Sequence, residues 1–189
     1  MKKLLIALSV CLLSSQIFAL TISKDDTYTG NIKLKDESVL VYGTVIGNIT
    51  VDGASIYVTG KVKGDLINTT STIFTENDED VKVLQGGVVE GNIKVKSTDV
   101  KVSGGSVIGN IETTSGDVDV KNMGNVDGNI ITTSGDVDIK ASNVSGNITT
   151  KSGDIELERN ASIGGDITSK SGDIKLGTYN SKGQMHTDK

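Results

Sequence analysis

The sequence predicts an all-β, single-domain parallel β-helix (a β-solenoid) of about eight coils, each 17–19 residues long, on three observations. First, a tripeptide of Gly, then Asn or Asp, then Ile or Leu begins at Gly30, Gly47, Gly64, Gly91, Gly109, Gly128, Gly146 and Gly165. Its intervals are 17, 17, 27, 18, 19, 18 and 19 residues, and self-similarity at a fixed short period is the signature of stacked repeats. Second, Ser-Gly-Asp followed by Val or Ile begins at Ser115, Ser134, Ser152 and Ser171, in constant phase with the tripeptide. Third, apolar and polar residues alternate within each segment, the period of a strand with one face buried.

Taken in chain order, the first nineteen residues stand apart. Lys2 and Lys3 precede a short apolar run from Leu4 to Leu13, and Ile17 and Ala19 suit the minus-three and minus-one positions of a cleavage site. This is the pattern of a secretory signal peptide, cut after Ala19, and it is too short for a spanning helix. Cys11 follows Val10 inside the apolar run, so it reads as part of that run, with lipidation as the minor alternative. A mature chain without it has no disulfide and no thiol chemistry. Of 19 basic and 24 acidic residues, losing Lys2 and Lys3 leaves 17 against 24, a net charge of −7. Such an acidic domain is a poor ligand for nucleic acid or anionic lipid.

The solenoid is expected over 20–177. Two residues before each corner Gly stand Tyr28, Val45, Val62, Val89, Val107, Val126, Val144 and Ile163. Two residues after it stand Ile32, Ile49, Leu66, Ile93, Ile111, Ile130, Ile148 and Ile167. Nine and eleven residues after it come pairs such as Val39/Val41, Ile56/Val58, Val118/Val120 and Ile155/Leu157. These residues are the predicted core, giving each coil two clear strands and a shorter third side. The 27-residue interval keeps this phase if 71–79 leaves the coil as an outward loop, which places Val81 and Val83 in the core. Gly and Asn at the corners suit backbone with positive φ. At about 4.8 Å per coil, the rod is on the order of 4 nm long. Residues 178–189 read as a polar C-terminal tail that, with the charged start at 23–26, caps the ends.

The Ser-Gly-Asp-Val/Ile segments from Ser115 to Leu176 resemble a bacterial adhesin family whose members carry such motifs along a β-helix. The earlier coils, with Val45-Ile46-Gly47-Asn48-Ile49 and Val62-Lys63-Gly64-Asp65-Leu66, are similar to bactofilins, which form cytoskeletal polymers. The resemblances imply a right-handed helix, which the spacing alone leaves open. They imply no catalytic residues.

Two polar columns follow from the register. Asp80, Asp99, Asp117, Asp136, Asp154 and Asp173 share one position before a strand. Stacked carboxylates offer hard oxygen ligands to calcium; alternatively, each caps nearby backbone N–H groups in an Asx-type corner. Repulsion between neighbours is only about 0.9 kcal/mol in water, so no ion is required and the corner role is preferred. The second column, Asn31, Asn48, Asp65, Asn92, Asn110, Asn129, Asn147 and Asp166, is expected to stack through amide-to-amide hydrogen bonds. Outward Thr positions such as Thr114, Thr133 and Thr149 are interrupted by charges, which disfavours an ice-binding face.

No catalytic or cofactor-binding residue is singled out. His186, the one histidine, falls in the polar tail, and the carboxylates are spread evenly instead of gathering in one coil. The expected function is that of an exported, non-catalytic, adhesin-like surface protein of the periplasm, cell envelope or exterior. The expected partners are cell-surface or matrix components, or a second copy stacked end to end as an envelope scaffold. A polysaccharide-binding or polysaccharide-acting β-helix is the third reading. No nucleic-acid partner and no transmembrane segment after signal cleavage are expected.

Overall fold

The computed structural model describes residues 19–70, 80–177 and 179–187. The predicted signal peptide, apart from Ala19, and the predicted loop at 71–79 lie outside the described residues. Among those residues there are twenty-seven strands, β1 to β27 in chain order, and no helix long and apolar enough to cross a membrane. The first coil shows the plan: β1 (Ala19–Ile22), β2 (Thr27–Thr29) and β3 (Ile32–Lys35) lie on three different sides, and β4 (Ser38–Val41) returns to pair with β1. Every third strand therefore joins the same sheet, producing three parallel nine-stranded sheets. We call them faces A, B and C after β1, β2 and β3. Face B has the shortest strands, one of them only Asn143–Val144, and is the predicted short side.

The register is the predicted one. On face C, Ile32, Ile49, Leu66, Ile93, Ile111, Ile130, Ile148 and Ile167 lie directly above one another. Each is fully or almost fully buried, as are the Val and Ile columns of faces A and B in the middle of the rod. Val81 pairs with Ile56 on one side and Val100 on the other, so the phase passes through the insertion unchanged. Backbone bonds continue the ladder through the corners, as in Ile49 N–H to the Asp65 carbonyl at 2.9 Å. β-Branched side chains suit this arrangement because their restricted rotamers stack well on a pleated surface.

The departures lie at the ends. Tyr28 is half-buried and Leu176 is 42% exposed, since each belongs to an edge strand with a neighbour on one side only. The segment read as a polar tail is instead largely a further coil. β26 (Tyr179–Ser181) pairs with face B and β27 (Met185–Thr187) with face C, giving nine strands per sheet where about eight coils were expected. Its corner, Gly183-Gln184-Met185, substitutes Gln and Met for Asn and Ile, which hid it from a search on the tripeptide. His186 thus sits on the outward side of β27, above Thr168.

Candidate functional site: stacked polar columns

The corner following each Gly carries an unbroken hydrogen-bonded chain. Asn31 Oδ1 accepts from the Asn48 N–H at 2.9 Å, Asn48 Oδ1 from Asp65 at 2.9 Å, and Asp65 Oδ1 from Asn92 at 2.8 Å. The chain continues through Asn110, Asn129, Asn147 and Asp166 to the Gln184 N–H at 2.8 Å. This differs from the expected amide-to-amide ladder: within this column, among the described residues, side-chain amides donate across coils at Asn92 to Asp65 and at Asn129 to Asn110. The column needs an acceptor oxygen above all, so Asp serves at 65 and 166 as well as Asn does elsewhere.

The Asp column works the same way. Asp99 Oδ1 accepts from the Asp117 N–H at 2.9 Å, and Asp117, Asp136 and Asp154 pass the pattern on at 2.7–2.8 Å. The carboxylates of Asp99, Asp117, Asp136 and Asp154 each cap an N–H, as the corner reading required, but in the following coil and not within their own turn. Lower in the rod, serine takes the role: Ser38 Oγ accepts from Ser55 N–H at 3.2 Å, and Ser55 Oγ from Asp80 N–H at 3.0 Å. Asp80 is the odd member. Its side chain is only 3% exposed and is held by Lys82 at 3.0 Å and Lys101 at 2.8 Å. Among the described residues no three His, Cys, Asp or Glu side chains converge as a metal cage.

A third column escaped the sequence reading. Thr113, Thr132, Thr150 and Ser169 point inward and are buried just before the Ser-Gly-Asp corners. Thr113 Oγ1 accepts from the Gly116 N–H at 2.8 Å and donates to the Gly116 carbonyl at 3.0 Å. Thr150 and Ser169 accept from Gly153 and Gly172 N–H at 2.9 Å. The available signal was a Thr or Ser three residues before each of these Gly residues. The Gly itself is fixed by crowding: a Cβ on Gly135 would overlap the Gly116 carbonyl oxygen, and the same holds for Gly153 over Gly135.

Like charges crowd on the outside of face A. Burial pushes the Asp117 carboxyl up from its ordinary value, the Asp136 N–H partly offsets this, and Asp99 and Asp136 add repulsion. Glu156 is also raised, first by sharing a hydrogen bond with Glu158. Lys140 and Lys175 are raised by their hydrogen bonds to Asp138 and Asp154, respectively. On face B, Lys61 pairs with Glu90 and holds that carboxyl below its usual range.

The arrangement, then, is a three-sided rod whose polar chemistry is distributed along columns. A model of the Toastrack DUF4097 family matches residues 8–189, nearly the whole chain. The chain belongs to this family. No curated protein and no solved structure matched this Toastrack chain. In this Toastrack member, the described residues of the matched length form the β-solenoid of three parallel sheets, from Ala19 in β1 to Thr187 in β27.

Proposed function

We propose that this Toastrack protein is an exported, non-catalytic rod that presents repeated polar side chains for adhesin-like, multivalent contact with cell-surface or matrix components. The observation that supports the reading best is the even spread of outward polar groups at one-coil spacing, stabilised by columns that bond coil to coil. A rigid array of weak contacts gains affinity by raising the effective concentration of each next contact. Export rests on Lys2, Lys3 and the apolar run from Leu4 to Leu13. The resemblance of Ser115 to Leu176 to β-helical adhesins points the same way.

Two measurements test it together. Cell fractionation is expected to find the chain, shortened by its first nineteen residues, outside the cytoplasm. Arrays of envelope glycans and matrix proteins are expected to retain the mature chain in clustered form and release it as single copies. Purely cytoplasmic protein, or turnover in hydrolase and lyase screens on polysaccharides, overturns the reading.

A second reading, an envelope scaffold built by end-to-end stacking, is favoured by one observation. The first edge offers Leu20, Tyr28 and Leu34, partly buried against the core, beside the unpaired backbone edges of β1, β2 and β3. Open edges template further strands unless they are blocked. Salt-resistant filaments in negative stain would support this scaffold.

A further inference from the structure

We propose that the rod associates side by side with second copies of itself, face A of one against face C of the next. The winding sorts charge that is mixed in the sequence. Along face A and the corner it shares with face C, from Asp99 to Lys175, the Asp column is joined by Asp119, Asp138, Glu156 and Glu158. Against these nine carboxylates stand Lys101, Lys121, Lys140 and Lys175. Over the same coils, the outward positions of face C carry Lys94, Lys96, Lys151 and Lys170 against Glu112 alone. Lys33 and Lys35 extend that face toward the first coil, with Asp52 paired beside Lys35. Lys94, Lys151 and Lys170 are exposed, and between the charges lie short Thr side chains, which let a flat partner approach.

The two faces belong to one solenoid, so their outward positions repeat at the same spacing of about 4.8 Å. Parallel copies in register therefore set the acidic edge of face A, from Asp99 to Asp173, against Lys94, Lys96, Lys151 and Lys170, with Glu112 and the uncharged Ile131 and Thr133 between them. This charge complementarity identifies the occupant as another copy. A contact between different faces is heterologous, leaving an unfilled face C at one end of the row and an unfilled face A at the other, so it propagates beyond a dimer. Each face, nine strands by one strand length, offers roughly 400 Å² per copy, about half of a standard interface. The association is accordingly weak, reversible and sensitive to salt, since exposed charges are screened over about 8 Å at physiological ionic strength.

Sedimentation velocity on the mature chain tests this at about 20 mM and about 300 mM salt. The expected result is a sedimentation coefficient that rises with concentration at low salt and returns to that of the monomer at high salt. Lys151→Glu with Lys170→Glu, or Glu156→Lys with Glu158→Lys, each weakens assembly about tenfold or more by setting like charges together. These side chains are outward, and circular dichroism checks that both variants keep the wild-type β spectrum. Mixing the two variants restores assembly, because each supplies the face the other needs. A monomer at every concentration in low salt overturns the proposal. So does assembly that survives both reversals or high salt, the behaviour of end-to-end stacking. Binding to polyphosphate that is lost on Lys151→Glu with Lys170→Glu, in a chain that stays monomeric, overturns it in favour of an anionic polymer on face C.

Discussion

The earlier coils, up to Val95, and the later ones, from Ser115, share one set of strands but turn the corner between faces C and A differently. In the later coils the corner is uniform: an inward Thr or Ser, a crowded Gly, and an Asp whose oxygen reaches the next coil. In the earlier coils each corner is an individual solution. Asp36 turns with φ 57°, Gly53 with φ 77°, and the buried Asn68 reaches the Ala54 carbonyl at 2.8 Å while accepting from Thr70 N–H at 3.0 Å. The lesson is that register resides in the Ile and Val columns, while corners need only satisfy their backbone groups locally. That is why Val81 keeps its place although it follows Ile56 by 25 residues, eight more than Ile56 follows Val39.

The largest effect should be the same in both regions. Ile49→Asp and Ile130→Asp each bury a charge between stacked aliphatics, and both are expected to abolish cooperative folding. Retention of a β-rich spectrum by either would break the claim that the columns carry the register. The next effect is confined to the later coils: Gly135→Ala forces a methyl into the Gly116 carbonyl, and a loss of about 3 kcal/mol or more is expected in denaturant melts.

A pair of isosteric swaps then sharpens the comparison at the junction between regions. Thr113→Val removes both bonds to Gly116 and should destabilise by about 1–3 kcal/mol. Thr98 occupies the position of Gly116 one coil earlier, where Val95 replaces the inward Thr, and its buried hydroxyl has no hydrogen-bond partner among the described residues. Thr98→Val should therefore stabilise, by about 1 kcal/mol. Like signs for the two swaps would show the corners to be equivalent after all.

The smallest effects concern charge. Asp117→Asn keeps the oxygen that accepts from Asp136 N–H and removes repulsion, so it should be neutral or stabilising by a few tenths of a kcal/mol. The pH dependence has a defined sign. Asp117 and Glu156 have raised values in the folded state, so their contribution is present below the unfolded value and is lost as pH rises through the folded one. Mild acidification should add stability from these two groups, and Asp117→Asn should reduce that gain. Glu90, lowered by Lys61, acts in the opposite direction, its contribution being lost as pH falls through its folded value.

How much could be read in advance follows from these particulars. Tyr28 through Ile163 and Ile32 through Ile167 announced themselves because burial demands the same residue type at the same phase in every coil. The insertion was legible because Val81 and Val83 resume the phase after it. Thr113, Thr132 and Thr150 were overlooked because a hydroxyl pointing inward looks, in a linear chain, like one pointing out. The oxygens of Asn31 and Asp99 could be assigned to corners, yet the N–H they hold lies one coil away, and only the stacked backbone shows which donor is within reach.

The solenoid, its period, its core and its polar columns are all written in the order of the amino acids, since each of these repeats and repetition survives in one dimension. Only the folded chain reveals that Gly183-Gln184-Met185 turns one more corner, and which face each charge occupies. Lys94 and Asp99 are five residues apart in the chain but belong to different sides of the rod. Charge is sorted by the three-sided winding of the backbone, which brings distant residues together and sets near ones apart.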